Sequence, residues 1–60
     1  MATKEDFYRK YNSLPLSMRN DVCCTYRGEP ISWRLAKDYV DAGTGEGSEI
    51  LRTLNALGLI

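Results

Sequence analysis

The sequence predicts a small α+β domain, a helix and a short β-hairpin followed by two packed helices, on three observations. A threonine-acid capping pattern precedes aromatic residues at helical spacing, a β-prone run leads into turn residues, and two apolar stripes of helical period flank a glycine-rich bend. No internal repeat or long linker divides the chain, so residues 1–60 form one domain. A domain of this length removes only about 60% of its unfolded surface from water, which leaves little interior for a large active site.

Each element has its own signal. Thr3 followed by Asp6, with Glu5 and Asp6 in the first turn where the helix dipole favours acids, places a helix over about residues 4–11. Phe7 and Tyr11, with Tyr8 beside them, give it an aromatic stripe that packs on the core. Asn12, Ser13 and Pro15 end it, because a residue before proline avoids helical dihedrals. Residues 16–21 are read as a single turn capped by Ser17, with Leu16 and Met18 turned inward.

Residues 22–26, Val-Cys-Cys-Thr-Tyr, suit a pleated, half-buried strand. A period of two puts Val22, Cys24 and Tyr26 on one face and Cys23 and Thr25 on the other, which predicts one core cysteine and a less buried neighbour. Arg27, Gly28 and Glu29 supply the turn, and Pro30 and Ile31 return as a short second strand.

Ser32 caps a second helix over residues 33–42 whose stripe is Leu35, Ala36, Tyr39 and Val40, and Gly43 stops it. Thr44 caps a third helix, with Gly45 and Gly47 loosening its first turn until Ser48. Ile50, Leu51, Leu54 and Leu57 form its apolar stripe, and Gly58 ends it in a Schellman motif that folds Leu59 back onto Leu54, with Ile60 completing a buried end. The expected core centres on Leu35, Tyr39, Val40, Ile50, Leu51, Leu54 and Leu57.

Composition narrows the functional class. Eight Lys plus Arg balance eight Asp plus Glu with no His, so the chain lacks the basic excess of a self-sufficient nucleic-acid binder. Residues 1–10 are polar, without the apolar core of a secretory signal, and no run approaches a membrane span; the expected compartment is the cytoplasm. Adjacent Cys23 and Cys24 close almost no loop, which points to two free thiols in a reducing compartment. A zinc site would need carboxylates or a second chain, so neither metal nor cofactor is expected.

No pattern suggests catalysis. Without His, and with the pairs Asp38 and Asp41 and Glu46 and Glu49 on solvated faces, nothing raises a carboxyl pKa toward general-acid work. The run Gly43 to Ser48 lies at a helix start, where anions can bind, but it has no preceding strand and no P-loop lysine, and Glu46 would repel phosphate.

Residues 32–60 resemble the second and third helices of winged helix-turn-helix domains. Leu35-Ala36 is similar to the Leu-Ala pair of their second helix, and Leu51, Leu54 and Leu57-Gly58-Leu59-Ile60 are similar to their leucine-rich recognition segment. The resemblance covers about half the chain and rests on a packing pattern. It implies a wing after Ile60, which this sequence lacks, and it implies DNA contact by Gly45 to Glu49, where two acids oppose a polyanion. The basic residues fall elsewhere: residues 1–34 carry six bases and four acids, and residues 35–60 two bases and four acids. Arg9, Lys10, Arg19, Arg27 and Arg34 would have to gather on one face. The whole pattern, with Gly28-Glu29-Pro30-Ile31-Ser32-Trp33 its most distinctive stretch, also resembles small prokaryotic proteins of unknown function, an archaeal source being the narrower reading.

The leading expectation is a non-enzymatic module that binds protein or a second copy of itself through an apolar and aromatic surface. Trp33 is expected at the core edge, partly exposed, forming a patch with Tyr26 and Arg34, and Leu57 and Leu59 offer an apolar helix end. The alternative is a dimeric helix-turn-helix-like DNA-binding accessory or transcription regulator.

Overall fold

The computed structural model describes residues 3–60. They form the expected α+β domain: α1 (Lys4–Ser13), a 3₁₀ turn (Leu16–Asn20), an antiparallel hairpin of β1 (Val22–Tyr26) and β2 (Glu29–Ser32), then α2 (Trp33–Ala42) and α3 (Gly45–Ala56).

Both arms of the α1 capping box form. Thr3 Oγ1 accepts the Asp6 N–H at 3.3 Å, and Asp6 Oδ2 accepts the Thr3 N–H at 3.0 Å. The helix outlasts its expected end by two residues because the proline constrains only Leu14, which turns extended (φ −78°, ψ 137°), while Ser13 Oγ donates to the Lys10 carbonyl at 2.6 Å. The 3₁₀ turn overturns its expected polarity. Pro15, not Ser17, precedes it without a side-chain cap, and Leu16 and Met18 face solvent. Arg19 turns in instead and lays its guanidinium 4.7 Å over the Tyr11 ring.

Arg27 (φ 52°) and Gly28 (φ 82°) make a two-residue hairpin turn with both residues left-handed, which matches the twist of paired strands. The ladder pairs Val22 with Ser32 and Cys24 with Ile31, so Cys23 occupies a β-bulge. The extra residue breaks the period of two. Cys23 and Cys24 are therefore both buried, Val22 is exposed, and the expectation of one inward cysteine is corrected.

Ser32 Oγ caps α2 through the Leu35 N–H at 3.1 Å, and Gly43 ends it at φ 68°. Its buried stripe is Trp33, Ala36 and Val40, so Leu35 lies on the opposite flank, exposed, and Tyr39 half-buried at the edge. Thr44 caps α3 as expected, and the first turn is regular from Gly45 rather than loose: Thr44 Oγ1 accepts the Gly47 N–H at 3.4 Å, and Gly47 is pressed against α2. Ile50, Leu51 and Leu54 are buried, but the helix stops before Leu57 can continue their stripe. The expected Schellman motif forms, with Leu59 N–H donating to the Leu54 carbonyl and Gly58 N–H to the Asn55 carbonyl, both at 3.0 Å. It sends Leu59 and Ile60 against the core and leaves Leu57, assigned to the core by its spacing, exposed.

The core joins Phe7, Tyr11 and Leu14 to Cys23, Cys24, Ile31, Trp33, Ala36, Val40, Ile50, Leu51 and Leu54. Phe7 is its hub, 5.9 Å from the Tyr11 ring centroid and 6.1 Å from that of Trp33.

Candidate functional site

Four large aliphatic side chains stay in water around one seam of the fold. Leu16 (71% exposed), Met18, Val22 (61%) and Leu35 sit on three short elements tied together by their backbones. The Met18 carbonyl accepts the Asp21 N–H at 3.0 Å, and the Asp21 carbonyl accepts the Trp33 N–H at 3.2 Å. Val22 pairs with Ser32, whose hydroxyl caps the turn carrying Leu35. Arg34 Nε closes the seam by donating to Asn20 Oδ1 at 3.1 Å. The first turn of α2, the 3₁₀ turn and the start of β1 thus present aliphatic residues edged by one acid, Asp21, and one base, Arg34. The sequence patterns turn Leu16, Met18 and Leu35 inward and set Val22 on one strand face with Cys24 and Tyr26. Pro15 precedes a five-residue 3₁₀ segment, Leu16–Asn20, that leaves Leu16 and Met18 exposed.

The residues expected at an interaction surface are scattered. Trp33 is 6% exposed and stacks in the aromatic core, so the expectation of a half-exposed ring is corrected: as the first residue of α2 it points back onto Phe7. Tyr26 lies at the turn end of the hairpin and Trp33 just beyond its open end, about 13 Å away at the rise of a strand, so they form no patch with Arg34. Tyr26 packs half-buried against Tyr39 with centroids 6.0 Å apart, and its hydroxyl donates to Glu49 Oε2 at 2.6 Å. Arg34 is exposed at the seam. Leu57 is 58% exposed, and half-buried Leu59 lines a shallow groove of about 300 Å³ with Asp6, Arg9, Lys10, Ser13 and Ile60.

A few charged groups form small surface networks. Asp41 accepts from Lys37 Nζ at 2.8 Å and from the Tyr8 hydroxyl, and these two donors hold its carboxyl below the usual range. The same contacts raise Lys37 and Tyr8 above their ordinary values, and the bond to Glu49 raises Tyr26. Asp6 is lowered, first by the Thr3 backbone N–H. Among the described residues no three His, Cys, Asp or Glu side chains group as metal ligands. The basic residues of the first half are split: Arg9 and Lys10 line the groove, Arg19 lies over Tyr11, Arg27 stands 5.1 Å over the Tyr26 ring at the hairpin tip, and Arg34 is at the seam. No helix among the described residues is long and apolar enough to cross a membrane. Gly43 to Ser48 serves the bend, with Gly43 in the left-handed conformation and Gly47 at the helix contact.

No protein-family model matches the chain, and no curated protein and no solved structure matches it.

Proposed function

We propose that this chain is a non-enzymatic protein-interaction module that docks through the aliphatic seam of Leu16, Met18, Val22 and Leu35, with a second copy of itself as the simplest partner. The observation that carries the reading is the exposure of these four side chains beside a core that is already complete without them. Burying a Leu, Met or Val side chain stabilises an association by roughly 1.5–3 kcal/mol. An apolar centre with a polar rim is the usual anatomy of an interface. Asp21 and Arg34 at the rim suit a two-fold pairing, in which the acid of one copy meets the base of the other. The zero net charge adds no repulsion between copies.

A helix-turn-helix-like contact with DNA has less support. The outer side of α3 carries Glu46 and Glu49, and the basic residues do not share an element with it apart from Arg52. Sedimentation equilibrium tests the leading reading: wild type should show a mass that rises with concentration, while Leu16→Asp and Val22→Glu, at exposed positions, should remain folded monomers. A wild-type monomer across the accessible range, with no effect of either variant, would overturn it. Salt separates the two readings, because an apolar interface barely responds whereas a DNA complex weakens steeply as counterions are restored.

A further inference from the structure

Two adjacent cysteines in a regular strand point to opposite faces, and here the bulge at Cys23 cancels that alternation. Both side chains enter the core, and the Cys23 thiol donates to Cys24 Sγ at 3.8 Å, with no disulfide between them. That separation is within reach of one thiophilic centre: two sulfurs at about 2.3 Å from a tetrahedral zinc would stand about 3.8 Å apart, and the narrower angle at a pyramidal trivalent arsenic draws them a few tenths of an ångström closer. A direct disulfide would require the sulfurs to close to about 2.05 Å within an eight-membered ring. Inserting one bridging atom gives a nine-membered ring and leaves the sulfurs nearly where they are. Ile31, opposite the bulge, offers its carbonyl 3.4 Å from Cys23 Sγ, which holds that thiol in place.

We propose that Cys23 and Cys24 form a dithiol site for a trivalent arsenical, a thiophilic centre that two thiols suffice to hold. The reaction balances without oxidant or reductant. An arsenoxide, R–As=O, condenses with two S–H groups to form two As–S bonds, the As=O bond breaks, and both thiol protons leave with its oxygen as one water. Arsenic stays trivalent, and the thiols enter protonated. β1 is one strand of a two-stranded sheet, so its outer edge is unpaired, and the ladder is already interrupted at Cys23. Opening that edge admits the reagent, and burial makes reaction slower than at an exposed dithiol.

The test uses phenylarsine oxide and the full chain. Mass spectrometry should show one arsenical per chain with loss of one water, absent in Cys23→Ala and in Cys24→Ala. Because unfolded dithiols also capture arsenicals, the thermal midpoint decides where binding occurs. A ligand of the native site raises the midpoint, and one that selects the unfolded chain lowers it. The wild-type adduct is expected to unfold at a higher temperature than the free chain, a readout that stands even if a cysteine variant does not fold. No adduct, an adduct that survives loss of either cysteine, or a lowered or unchanged midpoint would each overturn the site. Self-association plays no part in this measurement, so it fails or succeeds apart from the docking reading.

Discussion

A Cβ added to Gly47 would stand 2.6 Å from the Tyr39 carbonyl oxygen, so α3 meets α2 at a distance that only glycine allows. The contact sets how closely Ile50, Leu51 and Leu54 approach Val40 and Ala36. It also explains why a weak helix former is tolerated in the first turn, since Gly costs about 1 kcal/mol relative to Ala there.

Gly47→Ala should therefore destabilise the domain by up to about 2 kcal/mol in urea unfolding, because the overpacking cost of about 1–3 kcal/mol outweighs the propensity gain of about 1 kcal/mol. Gly45, two residues earlier with open space around it, behaves oppositely: Gly45→Ala should stabilise by about 0.4–1 kcal/mol. Equal responses at the two sites would refute the close packing.

Trp33 is the single tryptophan and lies in the core. Truncating it to alanine costs about 3–5 kcal/mol. A 60-residue domain has in total about 3–9 kcal/mol of stability. Trp33→Ala should leave much of the chain unfolded, read as lost helical circular dichroism. In wild type the indole emission should be that of a ring shielded from water and move to the red on denaturation. A tryptophan emission already solvent-like in the folded state would contradict the placement.

Arg27 occupies the left-handed region at φ 52°, which costs a residue with a Cβ about 1–2 kcal/mol, and its stacking on Tyr26 returns about 0.5–1 kcal/mol. Asn accepts this conformation readily before Gly in such a turn. Arg27→Asn should raise stability by up to about 1 kcal/mol, whereas Arg27→Val, β-branched, should lower it. Urea midpoints of the three proteins check the order.

The pH profile has two arms with opposite signs. Asp6 and Asp41 titrate lower in the folded chain than when unfolded, so their contribution is complete above the ordinary carboxylate range and is lost as pH falls through their folded values, below about pH 4. Tyr8, Tyr26 and Lys37 titrate higher when folded, so what they contribute is complete below their unfolded values and is lost as pH rises past about 10. All of these groups are exposed enough for solvent to screen them, so both arms should be shallow. Asp41→Asn should flatten both, and Tyr26→Phe only the alkaline one, in unfolding midpoints measured across pH. Unaltered alkaline behaviour in both variants would show that the phenol contacts do not persist in solution.

Local chemistry was legible where one residue type has one physical use. Thr3, Ser32 and Thr44 cap helices through their hydroxyls, and Gly43 and Gly58 take the left-handed turns that end them, so element order and most boundaries could be read from the chain. Facing was not legible in the same way. Periodicity names a stripe but not which flank of it meets a neighbour, and it assumes an unbroken element. Val22 and the cysteines escaped it through the bulge, Leu57 through the helix stop, and Leu16 and Met18 through the 3₁₀ turn. Trp33 went inside because Phe7, distant in sequence, offered it a ring to pack on.

The amino-acid sequence by itself thus determined which segments coil, which pair and where they stop, because caps, left-handed glycines and proline constraints act between residues a few places apart. Only the tertiary structure decided which aliphatic side chains remained in water and that two neighbouring thiols share one side. Those outcomes depend on how closely α2, α3 and the hairpin approach, and that distance is set by contacts between parts of the chain that no local rule connects.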